Sequence, residues 1–286
     1  MSLKSDVAQT LLVPLWRLRA QLLGRRAMSR VLMYHAIGTA VPEDLQGRYT
    51  LSAQRFAQQM ARLATSGLPV VPVSGVAEGV SISFDDGYRD NLTAALPVLE
   101  RHGFPFTIFV ATGFARSGNP IYLSAAEIKT LANHPLVSIG AHGDSHRRLT
   151  GLTDVELAAE LTGAKAWLEN VTGKPVTSMS YPHGAVDARV RDVVAVAGYA
   201  RACTSEFGAN QVGVGDRAGG RAETSADGSA AVANAEGVNQ PSRGRVDLNA
   251  LALRRIDIWS SDDEATFEAK LAGDWDWMRF FTRCGL

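Results

Sequence analysis

The chain of 286 residues balances 29 Lys and Arg against 29 Asp and Glu, so no global charge draws it to nucleic acid. Its two cysteines, Cys203 and Cys284, lie too far apart in sequence to read as a disulfide framework. The length suits one α/β barrel of about 250 residues. Residues 1–30 come first, with Lys4, Arg17, Arg19, Arg25, Arg26 and Arg30 against Asp6 alone. Residues 1–29 therefore read as a basic amphipathic segment with two accounts: a helix packed on the barrel, or a peripheral contact with anionic lipid at the inner membrane. The run Leu11-Leu12-Val13-Pro14-Leu15-Trp16 is short and carries no small-residue cleavage site after it. The expected compartment is therefore the cytoplasm.

Residues 30–286 read as one catalytic domain with strand and helix signals in alternation. Arg30 to His35 is an expected buried strand. Ser52 caps a helix with Phe56, Met60 and Leu63 on one face, closed by Gly67. Val80 to Phe84 is a strand, and Tyr88 to His102 a helix bent by Pro97 and stopped by Gly103. Phe106 to Val110 is a strand. Ser124 and Glu127 form a capping box for a helix ending near His134-Pro135. Leu136 to Ala141 is a strand, and Thr153 and Glu156 box a helix reaching Gly173. Thr177 to Tyr181 is a short strand, Asp187 to Ala197 a helix, and Leu251 to Trp259 a strand. Asp262 or Asp263 caps a last helix. At about 208–246 a stretch rich in Gly, Ala, Asn and Ser cannot bury enough apolar surface to order itself, and reads as a flexible insertion. Trp275, Trp277, Phe280 and Phe281, with Arg279 and Arg283, form an aromatic C-terminal patch with two accounts: packing against the N-terminal segment, or a membrane or partner surface.

The densest chemistry lies at Phe84-Asp85-Asp86-Gly87-Tyr88, two adjacent carboxylates at the end of a buried strand. Buried like charges need a cation or a shared proton. His142 and His146 follow another apolar strand. One carboxylate and two imidazoles make a three-ligand metal site with open positions, and the second carboxylate remains as a base. An i, i+4 histidine pair meets one ion if it lies on a helical turn. These residues stand at the C-terminal ends of several different strands, which favours a barrel over an open sheet.

In this order the motifs resemble the NodB-homology polysaccharide deacetylases (carbohydrate esterase family 4). Phe84-Asp85-Asp86-Gly87 is similar to their first motif, His142-Gly143-Asp144-Ser145-His146 to the second, and Tyr181-Pro182-His183-Gly184 to the third. Leu32-Met33-Tyr34-His35 resembles a segment of the subgroup acting on poly-N-acetylglucosamine. The resemblance implies a distorted (β/α) barrel and a metal-dependent hydrolase removing N-acetyl groups from an amino-sugar glycan. It implies Asp86, His142 and His146 as ligands of a divalent metal, zinc by default, and Asp85 as general base. It also implies a backbone oxyanion donor at His183 in the Tyr181-Pro182-His183 turn, His35 as general acid, and Arg255 orienting Asp85. Three departures stand out: Gly143 for a Ser or Thr, His183 for a Tyr, and Ser180 for an Arg. Two alternatives keep the same residues: hydrolysis of another amide, such as a formamido sugar or cyclic imide, or a carbohydrate-binding relative without turnover. Asp90 and Asn91 are expected to hold Asp86 or its loop from behind. Tyr34, Tyr88 and Tyr181 serve either packing or stacking on sugar.

Overall fold

The fold comes from a computed structural model that describes residues 28–41, 44, 46–75, 77–212, 249–276 and 278. The basic segment up to residue 27, residues 213–246 of the insertion, Trp277, the patch residues Arg279, Phe280, Phe281 and Arg283, and Cys284 lie outside them.

In chain order the strands are β1 Met28–Tyr34, β2 Ala36–Ile37, β3 Thr50–Leu51, β4 Gly79–Phe84, β5 Phe106–Val110, β6 Val137–Ala141, β7 Ser178–Ser180, β8 Arg201–Phe207, β9 Asn210–Gln211 and β10 Leu253–Asp257. The helices are α1 Ala53–Thr65, α2 Leu96–His102, α3 Thr112–Arg116, α4 Ala125–Ala132, α5 Asp154–Thr172, α6 Ala188–Val196 and α7 Glu264–Ala272. Strands β1, β4, β5, β6, β7, β8 and β10 pair in parallel in that order, and β10 pairs back to β1. The sheet is thereby a closed barrel, and short β9 runs antiparallel against the start of β1.

Alternation along the strands sorts the core into two layers. Leu32, Ile82, Phe84, Phe106 and Ile108 face outward and pack with helix residues such as Phe56, Met60, Leu161 and Leu168. Fully burying each such side chain contributes about 1.5–3 kcal/mol. Val31, Phe109, Cys203 and Leu253 face inward and cluster together inside the barrel. Gly140 shares that interior, because a Cβ there would sit 2.5 Å from the Phe109 ring. Extending the inward parity one step past each strand end aims His35, Asp85 and His142 at a common point, and Ser180, Arg255 and Asp257 already lie on that face.

Several elements depart from the sequence pattern, among them the short strands β2, β3 and β9. The helix expected over Tyr88 to His102 is split: a π turn, Asn91–Ala95, precedes α2. Pro97 has no N–H to give to an i−4 carbonyl, and Leu96 N–H bonds to the Asn91 carbonyl, five residues back. Strand β8 carries Thr204, Ser205 and Glu206 in place of an apolar run and gives no strand signal. Helix α3 is only one turn long and was likewise silent.

Candidate active site

The paired carboxylates leave β4 with different backbones, yet both reach His142 Nε2, Asp85 Oδ2 at 3.9 Å and Asp86 Oδ1 at 3.4 Å. Asp85 N–H is held by the Tyr34 carbonyl at 2.9 Å, which keeps Asp85 on the inward parity. Asp86 then takes φ +70°, turning its side chain to a different face. Asp86, His146 and His183 are the non-glycine residues with positive φ among those described, and all three are at the site. A left-handed backbone costs a side-chain-bearing residue about 1–3 kcal/mol and persists only where the surroundings impose it.

Asp85 is buried and paired. Arg255, on β10, donates from Nη1 to Asp85 Oδ1 and from Nη2 to Oδ2, each at 2.7 Å. Ser180 donates to Oδ2 at 3.2 Å and accepts from Arg255 Nη2 at 2.8 Å. Arg255 Nε donates to the Thr204 carbonyl at 2.8 Å. Burial pushes the Asp85 carboxyl pKa up, but Arg255 and His142 outweigh it and hold the group well below the usual carboxylate range. The same pairing overcomes burial for Arg255 and raises its pKa.

Asp86 has no such partner set. Its buried Oδ1 makes no well-formed hydrogen bond, yet lies 3.4 Å from His142 Nε2 and 3.2 Å from His146 Nε2. His142 Nδ1 is 2.9 Å from the Ser180 carbonyl. A carbonyl only accepts, so Nδ1 carries the proton and Nε2 presents a lone pair in the neutral ring. Burial pushes the His142 pKa down to about 4, so the ring is neutral at pH 7. Lone pairs of imidazole and carboxylate therefore face one another inside the protein. Asp86, His142 and His146 offer ligand atoms all within 4.8 Å of one another. A divalent cation fits this donor set of two nitrogens and one oxygen.

The histidine pair does not lie on a helical turn. His142 to His146 is a loop with φ +69° at Gly143 and +59° at His146. Glu160 of α5 organises it: Oε2 accepts from the N–H groups of Asp144 and Ser145 at 2.8 and 2.9 Å, and Oε1 accepts from the Ser145 hydroxyl. A Cβ at residue 143 would lie 3.3 Å from both Glu160 Oε2 and Pro182 Cγ. Glycine therefore suits both the backbone and the space, and Glu160 supplies the brace that the absent hydroxyl does not. The Thr112 hydroxyl and Arg116 of α3 bind the Asp144 carboxylate on the other side.

His35 follows β1, half-buried, with its ring 4.4 Å from that of Tyr49. Its Nδ1 is buried without a hydrogen-bond partner among the described residues. Asp257, two residues beyond Arg255 and so on the same inward face, accepts from Trp259 Nε1 at 2.6 Å. Burial raises the Asp257 pKa, while His35 acts in the opposite direction. The sequence assigned Asp257 and Glu160 no role. Their signals were available: strand parity with Arg255, and an acidic residue on the buried stripe of α5. Asp90 and Asn91 brace His35 rather than Asp86. Asp90 Oδ2 accepts from the N–H groups of Ile37 and Thr39, and Asn91 Nδ2 donates to the His35 carbonyl at 2.9 Å.

The turn after β7 carries the remaining residues. The Tyr181 side chain points away from the site, fully buried, donating its hydroxyl to the Leu251 carbonyl at 2.8 Å. A sugar-stacking role for that ring is thereby removed. Pro182 opens a short 3₁₀ turn, Pro182–Gly184, in which His183 has φ +56°. The His183 ring is at the rim, and burial, then the neighbouring His146, lowers its pKa.

Residues 75–202 match the family model described as polysaccharide deacetylase. YxkH of Bacillus subtilis (strain 168), named among the polysaccharide deacetylases, is 34% identical over 131 residues, 46% of each chain. The match thus spans about half the length of that curated relative. Among solved structures, BC0361, a polysaccharide deacetylase from Bacillus cereus, superposes with TM-score 0.66 at 22% identity over 86% of this chain and 69% of its own. IcaB from Ammonifex degensii superposes with TM-score 0.62 at 19% identity over 87% and 97%. At these identities the structures establish the barrel fold.

Proposed function

We propose, from the premise that the chain carries a polysaccharide deacetylase domain of the NodB-homology type, that it hydrolyses N-acetyl groups on an amino-sugar glycan with the help of a divalent metal, zinc by default. The observation that carries the reading is the contrast between neighbours. Asp85 is paired with Arg255 and Ser180, whereas Asp86 faces two imidazole nitrogens across 3.2–3.4 Å, and at His142 Nε2 there is no proton between the two.

In this reading Asp86, His142 and His146 hold the ion, which when bound polarises the acetyl carbonyl and lowers the pKa of a water. Asp85 is the general base. Three hydrogen bonds leave one of its roughly four acceptor positions for a proton, and its Oδ2 lies 3.9 Å from His142 Nε2, beside the ligand set. Arg255 keeps that carboxylate ionised and fixed in orientation. The His183 backbone N–H, presented by the strained turn after Pro182, donates to the developing oxyanion. Tyr181 anchors that turn through Leu251. His35, lying among the fields of Asp85, Asp86 and Asp257, gives a proton to the leaving amine.

The test is acetate release from chitooligosaccharides and poly-N-acetylglucosamine. Release that stops with a chelator and returns with added zinc supports the reading. A zinc-loaded protein that releases acetate from neither substrate sinks it, and release of formate from a formamido sugar would transfer the chemistry to that amide.

A further inference from the structure

Glu160 fastens residues 144 and 145 of the metal loop, but its hydrogen bonds stop short of His146. His146 nevertheless holds a left-handed backbone, φ +59°, with its Nε2 aimed at Asp86. Something must fix that residue itself. The His146 carbonyl lies 3.0 Å from His183 Nε2. Because a carbonyl only accepts, His183 Nε2 carries a proton and has no lone pair to offer a metal. The two rings lie 4.5 Å apart at 49°, and Phe114 of α3 lies 5.2 Å from the His146 ring. The turn bearing His183 is itself rigid: Gly184 N–H bonds to the Tyr181 carbonyl at 2.9 Å, and Tyr181 is tied to Leu251.

We infer that the His183 side chain is a positioning residue that locks His146 toward the metal, by donating from Nε2 to the His146 carbonyl and packing ring against ring. This rests on the reading of Asp86, His142 and His146 as metal ligands, and it assigns a role to the side chain separate from that of the His183 backbone N–H. The clamp joins the loop after β6 to the turn after β7, so the ligand set depends on two strands beyond the one that bears Asp86.

Two variants separate the donor from the ring. His183→Phe keeps an aromatic ring and loses the N–H. His183→Gln loses the ring and can return an N–H near the original Nε2. Zinc affinity is measured by competition with a chromophoric chelator, and amide hydrogen exchange over residues 143–148 is followed in the metal-free protein. His183→Phe should weaken zinc by about tenfold or more and speed exchange, while His183→Gln stays within about threefold of the unaltered protein. Unchanged zinc affinity and exchange in His183→Phe overturn the clamp and leave the ligand set standing. Zinc binding with these variant effects, but no deacetylation of either glycan, keeps the clamp and removes the proposed reaction. An unaltered protein that binds no divalent ion removes both.

Discussion

Two halves of one site, built on consecutive residues, solve the problem of buried charge in opposite ways. Around Asp85 the counter-charge comes from within the protein: a bidentate guanidinium and a serine hydroxyl, with a carbonyl holding Arg255 Nε. Around Asp86 there is no guanidinium, and metal-ligand atoms converge within 4.8 Å. A buried anion that is fully paired belongs to a preorganised group. A buried anion that faces the lone pair of a neutral imidazole marks the place of a cation. The backbone makes the split possible, since φ +70° at Asp86 sends adjacent side chains into different environments.

The largest expected effect breaks the comparison at its centre. Asp85→Asn should lower kcat by about 10³-fold or more while zinc stoichiometry stays near that of the unaltered protein. Asp86→Asn should instead lose the metal, with activity falling as a consequence. Zinc loss in Asp85→Asn, or zinc retention in Asp86→Asn, would reverse the two assignments. Next comes Arg255. Arg255→Met strands Asp85 as a buried charge, and the expected cost is about 3–5 kcal/mol of unfolding free energy in denaturant titrations. Adding Asp85→Asn should recover much of that loss, because the uncompensated charge is gone. If the double variant is less stable than Arg255→Met, the pairing is not what Arg255 contributes.

Acid should sharpen the contrast on the metal side. In the folded protein burial holds the His142 pKa down to about 4. In the unfolded chain a histidine titrates near 6.5. Between those values the unfolded state binds the extra proton, so stability is fully present above about pH 6.5 and falls as the pH drops toward 4. The window corresponds to about 3 kcal/mol for this group in metal-free protein. Denaturant titrations at pH 7 and pH 4.5 should show the fall, and His142→Phe should flatten that part of the profile. A His142→Phe profile parallel to the unaltered one would mean that His142 is not held neutral.

Much of this arrangement could be read from the chain, for local reasons. The capping boxes at Ser124 and Thr153 fix helix starts through contacts three residues apart, and both form. The strand over Phe106 to Val110 is a plain apolar run and needs nothing else. The double aspartate and the histidine pair stand out because each follows such a strand. What could not be read depends on closure. Strand β8 exists because β7 and β10 flank it, and its own residues, Thr204 to Glu206, do not ask for a strand. The Asp85 to Arg255 pairing spans 170 positions, and only a resemblance suggested it. The spacing of His142 and His146 is the same on a helix and in a loop, so the loop conformation was invisible until Glu160 and the left-handed residues were placed. Tyr181 reads as a site residue in its motif, yet strand geometry sends its ring into the core.

The smallest expected effect tests whether charge or shape holds the metal loop. Glu160→Gln keeps an oxygen able to accept from the Asp144 and Ser145 N–H groups, and its amide can donate to the Ser145 hydroxyl where Oε1 now accepts. Only the charge on those bonds is lost, which should cost about 1 kcal/mol. In a chain of this size that lowers Tm by roughly 2–4 °C. Glu160→Leu removes the acceptors as well and leaves two loop N–H groups seeking partners, so its loss should be clearly larger, with zinc affinity falling in the same order. Equal losses in the two variants would mean that the loop rests on packing against α5. The metal half would then be shaped by its scaffold more than by its hydrogen bonds, and less unlike the Asp85 half than its polar contacts suggest.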